Sequence, residues 1–306
     1  MAQDGREGVD RRRFLTLSAA ALLAAGCGRL LSGDDGRDAP VAREDTRSAD
    51  PEPTAEPEPT AEPEPAPDPE PAPDPTVDPE LAGRTPTEWG ERVTGVRTRL
   101  DTDRPLVALT FDGCGGPGGS GVDTALLDHL EDLAVPATLF LNARWIEANL
   151  SLTRELAREA RYELANHGTA HRPLSVDGRS AYGIRGTGSP EEVVEEVMTC
   201  QRLLTELTGR PPRHFRAGTA FVDEVAVAIT RDLGLEVVNF DVLGDAGATF
   251  SASQVTAALT AARPGSIALL HLNRPGSGTA AGVAAAVPVL RERGFTFTTL
   301  GSHALA

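Results

Sequence analysis

Segments typical of strands and of helices alternate along residues 85–306, and this alternation constrains the fold more than any other feature of the sequence. Short apolar runs indicate the strands, and apolar residues at helical spacing indicate the helices. We predict strands at 105–111, 137–141, 162–166, 214–216, 236–242, 266–271 and 295–299, and helices at 123–133, 151–161, 190–208, 223–233, 253–262 and 282–293. This order predicts one α/β domain, a distorted (β/α) barrel of parallel strands with outer helices.

Residues 1–27 have the pattern of an export signal. Arginines at residues 11–13 precede an apolar run at residues 15–25, which is shorter than the roughly 20 residues of a membrane span. The paired arginines resemble a twin-arginine signal, and residues 23–27 resemble a lipobox that ends in Cys27. We therefore expect export, lipidation of Cys27 and a membrane anchor that faces outward; without the lipid, the protein would be secreted.

Residues 28–84 are predicted to form a disordered linker. They carry 16 acidic residues and 5 arginines, and the stretch 50–80 alternates proline with acidic and small residues. No apolar period is present, so no core can form there. Frequent proline and like charges favour an extended chain, which would hold the domain at 85–306 away from the anchor. The alternative is a proline-rich motif that binds a partner.

Composition excludes several functions. The 29 basic residues are all arginine, so the chain has no lysine for a Schiff base or a phosphate-binding loop. A net charge of −16 argues against a nucleic-acid partner, because binding phosphates takes a basic surface. Most of that negative charge lies in the linker, since residues 85–306 carry 26 acidic residues and 20 arginines.

Titratable side chains follow the ends of several predicted strands. They are Asp112, His167, His171, Arg216, Asp241, Asp245 and His271. In parallel barrels, the carboxyl ends of the strands meet at one face, which carries the active site. We therefore expect these side chains to converge there.

His167 and His171 form a pair with metal-ligand spacing. Two neutral imidazoles with an oxygen ligand suit zinc, with cobalt or another divalent ion as alternatives. The glycine-rich loop at residues 113–121 lacks the Lys-Ser/Thr sequence that binds phosphate, so we interpret it as a flexible turn that lines a substrate groove.

Together these segments, over roughly residues 104–300, resemble the polysaccharide deacetylase family, the NodB-homology domain of carbohydrate esterase family 4. The similar motifs are Thr110-Phe111-Asp112, His167-Gly-Thr-Ala-His171, Phe215-Arg216-Ala-Gly218, Asp245 and Leu269-Leu270-His271. The resemblance implies metal-assisted removal of acetyl groups from sugars. It also implies roles for individual residues: Asp112 as base, His271 as acid, Arg216 to orient Asp112, Asp245 to adjust His271, and His167 and His171 as metal ligands.

Two positions depart from the family pattern: Ala217 stands where the third motif usually has Pro, and the other departure concerns the metal. The family has a second Asp after the first as a metal ligand, whereas this chain has Gly113. Three interpretations stay open. His167 and His171 hold the ion with waters while Asp112 stays the base, or Asp112 or Asp123 serves as a ligand, or the domain has lost metal catalysis.

Two further pairs of residues are candidates for the site. Tyr182 and Arg185 lie in the loop after His171 and are candidate sugar contacts, with an ordinary surface loop as the alternative. In an exported protein with Cys27 lipidated, Cys114 and Cys200 are candidates for a disulfide, and Cys200 could equally be a buried thiol.

The leading functional prediction is a membrane-anchored, metal-dependent deacetylase of an extracellular N-acetylated glycan such as peptidoglycan in the cell wall. The alternatives are a catalytically silent glycan-binding module on the cell surface and a deacetylase of a small, non-glycan acyl substrate.

Overall fold

The structure, a computed structural model, describes residues 75–306. The predicted signal, Cys27 and most of the predicted linker lie outside the described residues. Within the described part of the chain, no helix has both the length and the apolar character that crossing a membrane requires.

Eight helices and ten strands are formed by the described residues. The helices are α1 Pro79–Ala82, α2 Thr124–Asp132, α3 Ala143–Ala148, α4 Leu150–Leu156, α5 Pro190–Thr208, α6 Glu224–Asp232, α7 Ala252–Thr260 and α8 Thr279–Glu292. The strands are β1 Leu106–Gly113, β2 Ala137–Leu141, β3 Tyr162–Asn166, β4 Ser180–Ala181, β5 Ile184–Arg185, β6 His214–Phe215, β7 Glu236–Val237, β8 Val242–Leu243, β9 Ser266–His271 and β10 Thr296–Thr298.

The main sheet is parallel throughout and has the order β7-β6-β3-β2-β1-β9-β8, with β10 beside the first half of β1. A separate antiparallel hairpin is formed by β4 and β5. Parallel strands that alternate with helices confirm the predicted α/β barrel.

One stretch of chain supplies both ends of the sheet. The N–H of Val238, after β7, donates to the carbonyl of Phe215 (2.8 Å), and the N–H of Asp241, before β8, donates to the carbonyl of Ile267 (3.1 Å). We predicted a single strand at 236–242, and this was wrong. The chain changes its pairing partner within that segment, so the two edge strands of the sheet follow each other directly in the sequence.

The side chains of β1 alternate between two buried environments. The cluster beneath the helices contains Val107, Leu109 and Phe111, and the cluster inside the barrel contains Leu106 and Ala108. Because successive side chains of a strand point to opposite faces, Asp112 continues the interior row at the carboxyl end of the strand. Leu269 and Ala165 also belong to the cluster inside the barrel. His271 lies two residues after Leu269 and His167 two residues after Ala165, so the same alternation places both histidines on the interior side.

Most other element ends shift by a few residues from the predicted ones, and two differences are larger. The helix predicted at 151–161 is present as the shorter α4, and α3, which was not predicted, precedes it; the two meet at Asn149, where φ is −132°. The packed part of the domain also begins before residue 85, because Val77 and Leu81 pack against the cluster formed with α5 and α6. Leu81 lies in α1, whose first residue is a proline after the capping side chain of Asp78.

Candidate active site

The interior-facing residues at the strand ends come together. Asp112 is paired in register with His271 across β1 and β9. His167 follows β3, and its N–H donates to the carbonyl of Leu141 (3.2 Å) in β2. Arg216 follows β6, where its N–H donates to the carbonyl of Asn166 (2.9 Å). The predicted convergence of these side chains at one end of the barrel is therefore observed.

Arg216 fixes the Asp112 carboxylate. Its guanidinium is fully buried and donates from Nη1 to Oδ1 of Asp112 (2.7 Å) and to Oγ1 of Thr110 (2.9 Å). The other guanidinium N–H groups donate to the carbonyls of Val238 and Asn239, and the ring of Phe140 lies 4.1 Å from the guanidinium carbon. Burial raises the pKa of Asp112, but Arg216, His167 and His271 outweigh it, so the pKa lies below the usual value and the carboxyl is ionised.

His167 is held in one tautomer. Its Nδ1 lies 2.8 Å from the carbonyl of Arg216, which can only accept a hydrogen bond. Nδ1 therefore carries a proton, and Nε2 faces Oδ2 of Asp112 (3.6 Å) and Sγ of Cys114 (3.8 Å). This is the arrangement of a metal-ligating histidine whose other ring nitrogen is bonded to a carbonyl.

Three potential ligands gather at this point. The ligating atoms of Cys114, His167 and His171 all lie within 4.8 Å of one another. Burial raises the pKa of the Cys114 thiol, but hydrogen bonds with His167, His171 and His271 outweigh it and hold that pKa well below its ordinary value of 9.0. Neither Asp112 nor Asp123 belongs to this group.

Asp123 has a structural role instead of the ligand role that we considered. It caps the start of α2, where its Oδ1 accepts from the N–H of Leu126 (3.2 Å). Its own N–H donates to the carbonyl of Leu272 (2.8 Å). Asp241 is likewise structural, because its carboxylate binds Arg99, the Ser266 hydroxyl (3.0 Å) and the N–H of Ile267 (2.9 Å), at the start of β9 and away from the strand ends.

The loop that carries His171 is bound by Glu196, a residue that sequence reasoning missed. The buried Glu196 carboxylate accepts from the N–H groups of Thr169 (3.1 Å), Ala170 (3.0 Å) and Arg172 (3.2 Å). His171 sits in that loop with a φ of +59°, which is uncommon for a residue other than glycine. Glu196 therefore holds the loop in the conformation that aims His171 at the site.

A sequence signal for Glu196 existed. Glu196 lies on the buried stripe of α5, beside Val193 and Val197, where a charged residue is out of pattern. A carboxylate on an apolar helix face needs partners, and the His171 loop supplies them.

His271 and Asp245 form the second polar pair. His271 Nδ1 donates to Oδ1 of Asp245 (2.8 Å), and its backbone N–H donates to Oδ2 (2.7 Å). The Thr279 hydroxyl also donates to Oδ2 (2.9 Å). Burial lowers the pKa of His271, but Asp245 and the Cys114 thiol outweigh it, so the pKa lies well above 6.5. This environment favours the imidazolium form of His271.

Gly113 lies against the helix side of the sheet. A Cβ at Gly113 would lie 3.2 Å from Leu141 Cδ2 and 3.2 Å from the Trp145 ring. Trp145 is fully buried, and its indole N–H donates to the carbonyl of Gly121 (2.9 Å). The space beside residue 113 is therefore filled by an aromatic ring.

The glycine-rich loop is fixed and does not border the cavity, contrary to our expectation. Its Gly115 N–H donates to Gly119 (3.0 Å), and Asn273 donates to the same Gly119 carbonyl (2.9 Å). A Cβ at Gly115 would lie 2.5 Å from the Trp145 backbone nitrogen, so the loop packs closely on α3.

Cys114 and Cys200, the cysteines of the described residues, are both free, so the candidate disulfide is not formed and the alternative of a buried thiol at Cys200 is the one observed. Cys200 is a buried thiol on α5 that donates to the carbonyl of Leu141 (3.3 Å), and burial raises its pKa to about 12. Cys114 faces His167 inside the site. The two sulfur atoms thus have different partners on opposite sides of the sheet.

A cavity of about 590 Å³ opens over the polar residues. Its lining includes Asp112, His171 and His271, and the apolar residues Phe240, Leu243 and Leu269. Tyr182, in the β4–β5 hairpin, also borders the cavity and is 76% exposed. Its ring meets the Phe221 ring edge to face, with 5.5 Å between the ring centroids. Arg185, our other candidate for sugar contact, is exposed and does not border this cavity.

Comparison with known proteins decides the family. The protein-family model described as Polysaccharide deacetylase matches residues 99–238 of this chain. A chitooligosaccharide deacetylase from Bradyrhizobium sp. (strain ANU 289) is 31% identical over 171 residues, which are 55% of this chain and 71% of that protein. This chain belongs to the polysaccharide deacetylase family. A second chitooligosaccharide deacetylase, from Sinorhizobium fredii, is 29% identical over 66% of this chain and 93% of that protein.

Solved structures of carbohydrate esterase family 4 share the fold. A peptidoglycan N-acetylglucosamine deacetylase has a TM-score of 0.58 and 23% identity, over 69% of this chain and 92% of that chain. A family 4 pseudoenzyme from Bacillus anthracis has a TM-score of 0.57 and 21% identity, over 67% of each chain. These similarities confirm the NodB-type barrel, and membership in the polysaccharide deacetylase family confirms the predicted class, a hydrolase of amide bonds.

Proposed function

We propose that this polysaccharide deacetylase removes acetyl groups from an N-acetylated glycan, with peptidoglycan as the leading substrate, and that it needs a divalent metal ion. The observation that carries the proposal is the register of Asp112 opposite His271, with a carboxyl whose pKa is lowered and an imidazole whose pKa is raised facing the same cavity. Groups whose environments hold them in opposite protonation states are suited to act as base and acid in one reaction.

The donor set beside this pair fits a metal. His167 offers Nε2 because its Nδ1–H is bound to a carbonyl, and His171 is aimed at the same point by the loop that Glu196 holds. Imidazole nitrogens suit zinc or cobalt. When bound, such an ion polarises an acetyl carbonyl and activates water.

The chain's own residues supply the proton transfers. Oδ2 of Asp112 is free of the arginine and accepts the proton of the attacking water, while Oδ1 stays bound to Arg216. The protonated Nε2 of His271 donates to the leaving amine nitrogen, and Asp245 stabilises the imidazolium until that transfer. The sugar occupies the cavity, whose apolar wall and exposed Tyr182 ring offer a surface for a sugar face.

We also propose that the domain acts outside the cell on a membrane anchor. The twin-arginine pattern, the lipobox and the acidic linker support this arrangement. Fractionation of cells would test it. Cys27→Ser should move the protein from the membrane to the medium, whereas Arg11→Lys with Arg12→Lys should retain it inside. If Cys27→Ser leaves the protein in the membrane fraction, the lipid anchor is wrong.

Acetate release is the decisive test of the activity. The metal-stripped protein should release acetate from N-acetylglucosamine oligomers or from peptidoglycan only after zinc or cobalt is added. Asp112→Asn and His271→Ala should each abolish release, and His303→Ala, near the carboxyl terminus, should retain it. The missing aspartate at Gly113 favours one competing function, a silent glycan-binding module. Binding of either glycan without any acetate release would establish that alternative.

A further inference from the structure

We propose that Cys114 is the third protein ligand of the metal, in place of the carboxylate that Gly113 lacks. This inference rests on the proposed metal-dependent function. It assigns a His₂Cys site to His167, His171 and Cys114, with a sulfur ligand one residue further along the chain than the missing aspartate.

The distances fit such a site. A tetrahedral zinc with bonds of about 2.3 Å to sulfur and about 2.0–2.1 Å to nitrogen holds the two ligand atoms about 3.6 Å apart. Cys114 Sγ and His167 Nε2 are 3.8 Å apart, and all three candidate ligand atoms lie within 4.8 Å of one another. Movements of a few tenths of an ångström to about an ångström would bring all three to a common ion.

Strand geometry explains why residue 114 and not residue 113 faces the site. Asp112 faces the barrel interior, so Gly113 faces the helices and Cys114 faces the interior again. A side chain at Gly113 would meet Leu141 and the ring of Trp145 at 3.2 Å. The positive φ of Gly115 (+70°) turns the chain directly after the cysteine.

The bonding partners of Cys200 and Asp112 leave Cys114 available as a metal ligand. Cys200 donates its thiol to the carbonyl of Leu141 and forms no bond with Cys114. Asp112 has Oδ1 bound to Arg216. With Cys114 as the ligand, Asp112 keeps its second oxygen for proton transfer, and one site holds both a metal and a free base.

The donor set also makes a prediction about the ion. Thiolate with two imidazoles favours zinc or cobalt over magnesium and calcium, which prefer oxygen ligands. Three protein ligands leave a fourth position open, as in catalytic zinc sites.

Cobalt spectroscopy tests the sulfur ligand directly, with the full chain freed of metal and titrated with Co²⁺. One equivalent should produce a near-ultraviolet thiolate-to-cobalt charge-transfer band. Cys114→Ser should lose the band and bind cobalt at least tenfold more weakly. Replacing a residue that only supports a metal ligand already weakens metal binding about 10–100-fold, and Cys114 is itself the proposed ligand. Cys114→Asp should bind one equivalent without the band. Cys200→Ser, the matched control, should keep both band and affinity.

Two results would overturn the inference. One is a wild-type protein that binds one cobalt ion without the band, and the other is a Cys114→Ser variant that keeps the band or the affinity. Circular dichroism of both Cys114 variants checks their folding. If the serine variant is unstable, Cys114→Asp still tests the inference, because it retains a metal ligand but lacks the sulfur. Acetate release tests the proposed deacetylase function separately from the metal site. A charge-transfer band in a protein that releases no acetate would support the His₂Cys site and refute the proposed activity.

Discussion

Arg216 binds Asp112 through its side chain and His167 through its backbone. The guanidinium donates to Asp112 Oδ1 at 2.7 Å, and the carbonyl accepts from His167 Nδ1 at 2.8 Å. One buried residue therefore orients both the proposed base and a proposed metal ligand.

Arg216→Met should be among the most damaging substitutions in the domain. It leaves the Asp112 carboxylate buried without its partner, which costs about 3–5 kcal/mol of the free energy of unfolding. Denaturant unfolding measures that loss. Asp112→Asn combined with Arg216→Met should recover part of it, because no unpaired charge remains. As a control, Arg97→Met breaks an exposed pair with Glu236 and should cost at most about 1 kcal/mol.

Much of this site could be predicted because its residues follow strands. Period-two alternation along β1, β3 and β9 places Asp112, His167 and His271 on the interior side, and their position after apolar runs is visible in the sequence. The strand at β3 and the helix α5 were predicted with the bounds that the structure has. Local pattern was sufficient for these elements because each keeps one environment along its length.

Features that depend on distant partners could not be predicted. The segment 236–242 reads as one strand, but its pairing passes from β6 to β9, and no local pattern records that change. The spacing of Cys114 and Cys200 does not reveal that their thiols face opposite sides of the sheet. Glu196 was missed because its partners are backbone N–H groups of another loop, which carry no residue signature.

Asp245→Asn should shift the pH dependence of acetate release. Burial lowers the pKa of His271, and the Asp245 carboxylate outweighs burial and raises it well above 6.5. The acid form is needed, so kcat/KM should fall as the pH rises through this raised pKa. Without the carboxylate charge, that alkaline fall should move to lower pH, and activity at neutral pH should drop by up to about 10²–10⁴-fold.

A pH profile of kcat/KM for the wild type and Asp245→Asn is the measurement. Asp132→Asn removes an exposed carboxylate and should leave the profile unchanged. An Asp245→Asn profile that coincides with the wild type would show that His271 is not the proton donor.

Glu196→Gln should loosen the His171 loop. The amide NH₂ would face backbone N–H groups that now meet a carboxylate oxygen, at a cost of about 1–3 kcal/mol. Affinity for zinc should fall about 10–100-fold, as for other residues that support a metal ligand. Zinc competition with a chelator measures this, with Glu195→Gln, exposed one residue earlier, as the control. Unchanged zinc affinity would mean that Glu196 does not position His171.

Gly113→Asp should destabilise the protein although it restores the family's residue. The new Cβ would lie 3.2 Å from both Leu141 and Trp145, and overpacking of this kind costs about 1–3 kcal/mol. Thermal unfolding compares it with Gly83→Asp, where the nearest atom to a Cβ is 3.6 Å away. A Gly113→Asp protein as stable as the wild type, with tighter zinc binding, would show that the space beside Trp145 accepts a carboxylate ligand.

Tyr182→Ala should raise KM for glycan oligomers and change kcat little. The exposed ring borders the cavity and rests on Phe221, so it offers a face to the sugar without touching the reacting groups. Loss of a contact worth about 1.4 kcal/mol corresponds to a roughly tenfold rise in KM. Arg185→Ala is the matched control from the same hairpin and should change neither constant, because Arg185 does not border the cavity. An equal effect of the two substitutions would place the sugar along the whole hairpin, and a fall in kcat alone would give Tyr182 a part in the chemistry.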